Sequence, residues 1–235
     1  MALLRGLLDL LFPAVCSVCR EAGEYPLCSR CRAAFRLIRP PVCQRCGRPL
    51  RGPPDLVFTC IPCRHRRTYF RCARARGIYD GPLRDAVCAL KFGRCRAMAR
   101  PLGEMVAEVV GSDPRMEADV VVPVPLHRRR LRERGFNQAE LLAVEAGRLL
   151  GLPVRSSALT RVRESPPQVG LGRDERRANV RGAFAAGDGV AGVRVLLVDD
   201  VLSTGSTAVA CARALRAAGA VDVVVGVVAM AVLDF

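Results

Sequence analysis

The chain has 235 residues, 51% of them apolar, enough to bury the core of one or two domains. It carries a formal net charge of +15, and Lys91 is the one lysine among 37 basic residues. No run of about 18 apolar residues occurs, so no membrane-spanning helix is expected.

Residues 1–15 place Leu3, Leu4, Leu7, Leu8 and Leu11 at helical spacing, which predicts a short amphipathic helix. No small-x-small cleavage site follows it, so a cytoplasmic location is expected rather than secretion.

Residues 16–72 read as a cysteine-rich head. Eight of the 12 cysteines form four C-x-x-C pairs: Cys16 and Cys19, Cys28 and Cys31, Cys43 and Cys46, Cys60 and Cys63. Each such turn aims two thiolates at one point, and two turns complete a tetrahedral zinc site. Four pairs in 48 residues, without a secretory signal, argue for zinc rather than disulfides. The first two pairs are 8 residues apart and the last two 13. Short loops close at the smaller entropic cost, so two consecutive zinc ribbons are expected, with interleaved pairing as the alternative. Four thiolates leave zinc no open position, which makes both sites structural. Residues 1–76 hold 15 Arg against 4 acids, a surplus of +11 that two thiolate-bound zinc ions lower to about +7. A basic head of this kind suits a polyanion such as single-stranded DNA.

From residue 73 to 235 the pattern becomes strand-helix alternation. ARARGIYDG reads as a strand and turn, GPLRDAVCALKFG and residues 98–111 as helices, and ADVVVPVP as a buried strand. FNQAELLAVEAGRLLG is a helix with a glycine stop. VRVLLVDD is a second buried strand, STAVACARALRAAGA a helix and VDVVVGVVAMAVL a last strand. Such alternation implies an α/β fold, a parallel sheet with helices on both faces, whose ligands bind beyond the carboxyl ends of the strands.

That rule points to the end of VRVLLVDD. Asp199 and Asp200 close the strand, and Ser203, Thr204, Gly205, Ser206 and Thr207 lead into the next helix. Hydroxyls and free N–H groups around a glycine at a helix start suit a phosphate. The paired carboxylates would repel that phosphate and instead suit neutral hydroxyls, so a ribose diol beside a 5′-phosphate satisfies both halves. A nucleotide P-loop needs Gly-Lys-Ser/Thr, and a dinucleotide fold needs G-x-G-x-x-G; neither is present.

VLLVDDVLSTGSTA resembles the phosphoribosyl-pyrophosphate (PRPP) motif of type I phosphoribosyltransferases. With PVPLHRRRLRERGFNQAELLA, ESPPQVGLGRDERRANVRGAF and the four cysteine pairs, the chain is similar over almost its whole length to the ComF family of double-zinc-ribbon phosphoribosyltransferase-like proteins. The resemblance implies a type I phosphoribosyltransferase-like domain behind the zinc head. Asp199 and Asp200 would bind the ribose hydroxyls with Mg²⁺, and Ser203–Thr207 would cradle the 5′-phosphate. Lys91, Arg128, Arg129, Arg130 and Arg134 would meet the pyrophosphate, with residues 126–130 as its loop. Residues 161–181, including Arg163, Gln168, Arg176, Arg177 and Asn179, would close over the site. The expected activity is phosphoribosyl transfer, or sensing, with PRPP or a related phosphoribosyl compound. The alternative is a non-catalytic adaptor of DNA uptake that binds DNA through the basic head.

Overall fold

The structure, a computed structural model, describes residues 14–55, 57–163 and 182–232. The expected N-terminal helix, except for its last two residues, lies outside the described residues. So does the 161–181 loop beyond Arg163, including Gln168, Arg176, Arg177 and Asn179.

The body is built on strands β1 (Ala73–Ile78) and β2 (Val120–Pro123), a small antiparallel pair β3 (Leu159–Arg161) and β4 (Phe184–Ala186), and long strands β5 (Arg194–Leu202) and β6 (Asp222–Met230). The main sheet runs β1-β6-β5-β2 and all its pairings are parallel. Its central strands are valine-rich, and every residue of β6 after Asp222 is buried. β-branched side chains pack well on a pleated surface, and a sheet covered on both faces needs apolar residues at every position.

The helices follow the expected stretches. The head carries α1 (Ser29–Ala33) and α2 (Ile61–Arg64), one short turn in each ribbon. On one sheet face lie α3 (Gly81–Lys91), α4 (Ala99–Gly111) and, after the short α5 (Arg128–Arg134), α6 (Gln138–Leu150). Leu83, Val87 and Leu90 give α3 its buried stripe. Asn137 starts α6 by accepting from the Ala139 N–H at 3.1 Å while its Nδ2 donates to the Val124 carbonyl at 3.1 Å, and Gly151 ends it at φ 69°. Gly226 lets this layer close on the sheet: a Cβ there would stand 3.0 Å from Val110 and 3.2 Å from Val106. On the opposite face lie α7 (Ser206–Ala217) and the β3–β4 pair.

Two details differ from expectation. β5 does not end on the acid pair but runs two residues beyond it, because β6 continues to offer partners: Val201 pairs with Ala229 and Leu202 with Met230. Arg128, Arg129, Arg130 and Arg134 sit on α5 rather than on an open loop. His127 caps that helix through Nδ1, which accepts from the Arg129 N–H at 3.4 Å, and Gly135 terminates it at φ 79°.

The head docks on the edge strand of the sheet. The Ala73 N–H donates to the Arg45 carbonyl at 2.8 Å, and Leu37 bridges to Gly77. Arg74, buried in β1, joins three parts of the chain. Its Nε meets the Asp113 carboxylate at 2.7 Å, and its Nη1 donates to the Gln44 carbonyl at 3.2 Å. Burial works against ionised Asp113, but hydrogen bonds from Arg115 and the charge of Arg74 outweigh it and hold the carboxyl at about 2.

Candidate functional site

The cysteines converge as two separate tetrads, Cys16, Cys19, Cys28 and Cys31, then Cys43, Cys46, Cys60 and Cys63, each with its sulfurs within 4.8 Å of one another. The consecutive pairing follows from the short loops. Cys19 and Cys28 sulfurs stand 3.8 Å apart, and those of Cys46 and Cys60 3.7 Å. A zinc–sulfur bond of about 2.3 Å sets the edge of a ZnS₄ tetrahedron at about 3.8 Å, so both tetrads fit zinc. Backbone N–H groups stabilise the thiolates: Cys28 donates to Cys16 Sγ at 3.4 Å and Cys60 to Cys43 Sγ at 3.3 Å. Burial pushes the Cys16 thiol up, yet the backbone N–H groups of Cys19, Cys28 and Val18 prevail and bring it to about 6.

At the far end of β5 the two acids separate. Strand alternation sends their side chains to opposite sheet faces. Asp200 turns toward α3, where Lys91 Nζ meets its Oδ1 at 2.9 Å. Asp199 turns toward α7 and β3, beside Arg161 and Cys211. Burial first, and then the Asp200 charge, push the Asp199 carboxyl up to about 7. Asp200 is only 4% exposed, and its Oδ2 is buried without a hydrogen-bond partner among the described residues. A carboxylate oxygen left bare in this way is costly, and it fits a site completed by a cation or a ligand hydroxyl.

The loop after β5 has the shape an anion requires. Gly205 adopts φ 75°, a left-handed conformation open to glycine, and so lets the chain turn sharply into α7. Thr204 and Ser206 hydroxyls lie 2.9 Å apart, and the Ser206 N–H points at Thr204 Oγ1 at 3.4 Å. Ser203 is exposed beside them. The first N–H groups of α7 have no partner within the helix, and the helix dipole adds attraction for negative charge.

Of the expected cations, Lys91 and Arg134 converge on Asp200. Arg134, half-buried, lies close enough to feel the Asp200 charge and stands 5.3 Å over the Phe92 ring; its guanidinium is lowered chiefly by burial. Arg129 is tied to Glu133 at 3.0 Å on the outside of α5, and Arg128 is exposed. Tyr79 joins this group unannounced by any motif: Lys91 Nζ lies 6.0 Å from its ring, and burial raises its phenol. Arg161, the first residue of the segment expected to close over the site, lies beside Asp199 without any motif having singled it out. Both reach the acids only through packing.

Comparisons with known proteins agree with this anatomy. A double zinc ribbon domain model matches residues 7–64. A DNA utilization protein, YhgH, of Salmonella typhi is 34% identical over 91% of this chain and 96% of its own. Competence protein F of Haemophilus influenzae is 29% identical over 93% and 91%, and competence protein ComFC of Bacillus subtilis 27% over 82% and 79%. Among solved structures, a glutamine PRPP amidotransferase from B. subtilis matches 56% of this chain at 26% identity, with a TM-score of 0.39; the chain spans about a quarter of that enzyme. No helix among the described residues is long and apolar enough to cross a membrane. With a double zinc ribbon and a relative 34% identical over 91% of its length, the chain belongs to the ComF family of double-zinc-ribbon proteins.

Proposed function

We propose that the protein binds PRPP with Mg²⁺ and transfers its phosphoribosyl group. The observation that carries this reading is the bare, buried Asp200 Oδ2 at the same strand end as a hydroxyl-lined left-handed turn opening a helix. The 5′-phosphate sits on Ser203–Thr207, and Asp199 and Asp200 accept from the ribose hydroxyls. Asp200, with a free carboxylate oxygen, would help hold Mg²⁺, which when bound would supply countercharge for the diphosphate. Lys91 and Arg134 stand nearest the departing pyrophosphate and stabilise its charge; Arg128 and Arg130 add to the field.

The test is calorimetric titration of the zinc-loaded protein with PRPP and Mg²⁺. Binding is expected, and it is lost when Asp199→Ala and Asp200→Ala are combined. Wild-type protein giving neither heat nor a thermal shift with excess PRPP would falsify the reading. Pyrophosphate release across a panel of bases then separates transfer from sensing. A second reading, a DNA-binding head, is favoured by the +11 surplus of residues 1–76 and by relatives named for DNA utilization and competence.

A further inference from the structure

A cavity of about 650 Å³ opens on the flank of the hydroxyl loop, and neither acid of the pair lines it. One wall is the loop itself, Ser203 to Ser206, continued by the outer turns of α7 with Val209 and Arg213. The other wall comes from the second zinc ribbon and the segment leaving it, with Arg67, Tyr69 and Phe70. Among the described residues no acidic side chain lines the space. Exposed guanidinium groups of Arg67 and Arg213 come from the two walls, Arg48, Arg66 and Thr68 add polar lining on the ribbon side, and Leu202, Val209 and Met230 with the two aromatic rings form an apolar floor. Tyr69 is held at φ 60°, a left-handed conformation that costs an aromatic residue about 1–2 kcal/mol, with Arg67 standing 4.8 Å from its ring.

The shared loop matters for what can enter. A terminal 5′-phosphate, as on PRPP, ends at the loop and sends nothing into this space. A ribose 5′-phosphate that is esterified onward does. Resting on the phosphoribose reading above, we propose that the cavity is a second subsite, which takes the far half of a pyrophosphate-linked dinucleotide whose near ribose 5′-phosphate occupies Ser203–Thr207. Arg213 and Arg67 meet the second phosphate, and the flat base lies against Tyr69 and the apolar floor. Its volume falls within the range of about 300–1,000 Å³ that small-ligand pockets occupy, so the space suits one further nucleotide better than the track of a long strand. The second zinc ribbon then has a role beyond stability: it supplies half of a ligand site.

The experiment titrates full-length, zinc-loaded protein with ribose 5-phosphate, PRPP, ADP-ribose and a short 5′-phosphorylated DNA strand. ADP-ribose is expected to bind at least about tenfold more tightly than ribose 5-phosphate, the value of one charge-assisted contact. Combining Arg67→Ala with Arg213→Ala should return ADP-ribose to the level of ribose 5-phosphate and leave PRPP unchanged. Equal affinity for ADP-ribose and ribose 5-phosphate, with PRPP bound, overturns this subsite alone. A double variant that weakens PRPP as much as ADP-ribose overturns it too, because the arginines then act as diffuse charge. If the strand binds more tightly than ADP-ribose and the double variant removes it, the cavity belongs to DNA. Absence of PRPP binding overturns both readings.

Discussion

Asp199→Asn offers a test of the site that needs no ligand. In the folded chain this carboxyl is raised from 3.8 to about 7, by burial and then by the Asp200 charge. In the unfolded chain it titrates near 4. Between these values the native state keeps a proton that the unfolded state has released. Each rise in pH through that window therefore removes stability, and above about 7 the loss is complete. Asparagine keeps the size and an oxygen to accept from the Asp200 N–H, which now meets Asp199 Oδ1 at 2.9 Å, but it has no charge to bury. From pH 5.5 to 8.5 the wild type crosses the last one and a half units of the window. At about 1.4 kcal/mol per unit, it should lose about 2 kcal/mol relative to the variant. For a chain of this size that corresponds to about 4–8 °C in Tm. Thermal unfolding by circular dichroism at pH 5.5, 7 and 8.5 reads the difference directly. The variant should gain on the wild type as pH rises while failing to bind PRPP, a trade of function against stability. A Tm difference that stays constant across this range refutes the argument, because the group would then titrate alike in both states.

Two further outcomes follow from the same geometry. Lys91→Ala strands Asp200 as an unpaired buried charge and should cost about 3 kcal/mol, and adding Asp200→Ala should recover most of it; independent losses in the double variant would show that the 2.9 Å pair carries no coupling. Elemental analysis should find about two zinc ions per chain and about one after Cys60→Ser, since each tetrad closes its own tetrahedron; one zinc in the wild type would leave one tetrad unused.

Much of the molecule is legible without coordinates because its devices are local. A C-x-x-C turn brings two thiolates together through a few bonds, so the tetrads and even their consecutive pairing are readable from spacing. The hydroxyl loop around Gly205 needs only its neighbours to bend. The valine-rich strands announce a parallel sheet because burial on both faces forbids polar alternation. Where the site depends on elements distant in the chain, spacing does not show which side chains meet, even for residues such as Lys91 and Arg134 that the family resemblance points to. Asp199 and Asp200 are adjacent in sequence yet face opposite layers, because a strand alternates and β6 holds β5 extended through them. Lys91 reaches Asp200 across 109 residues only because α3 packs on that face. Tyr79, Arg134 and Arg161 join the acids in the same way. The second ribbon faces the hydroxyl loop because the head docks on β1, at the edge of the sheet. Spacing along the chain can specify a knuckle or a turn. Which two such pieces share a cavity is decided by how the layers pack.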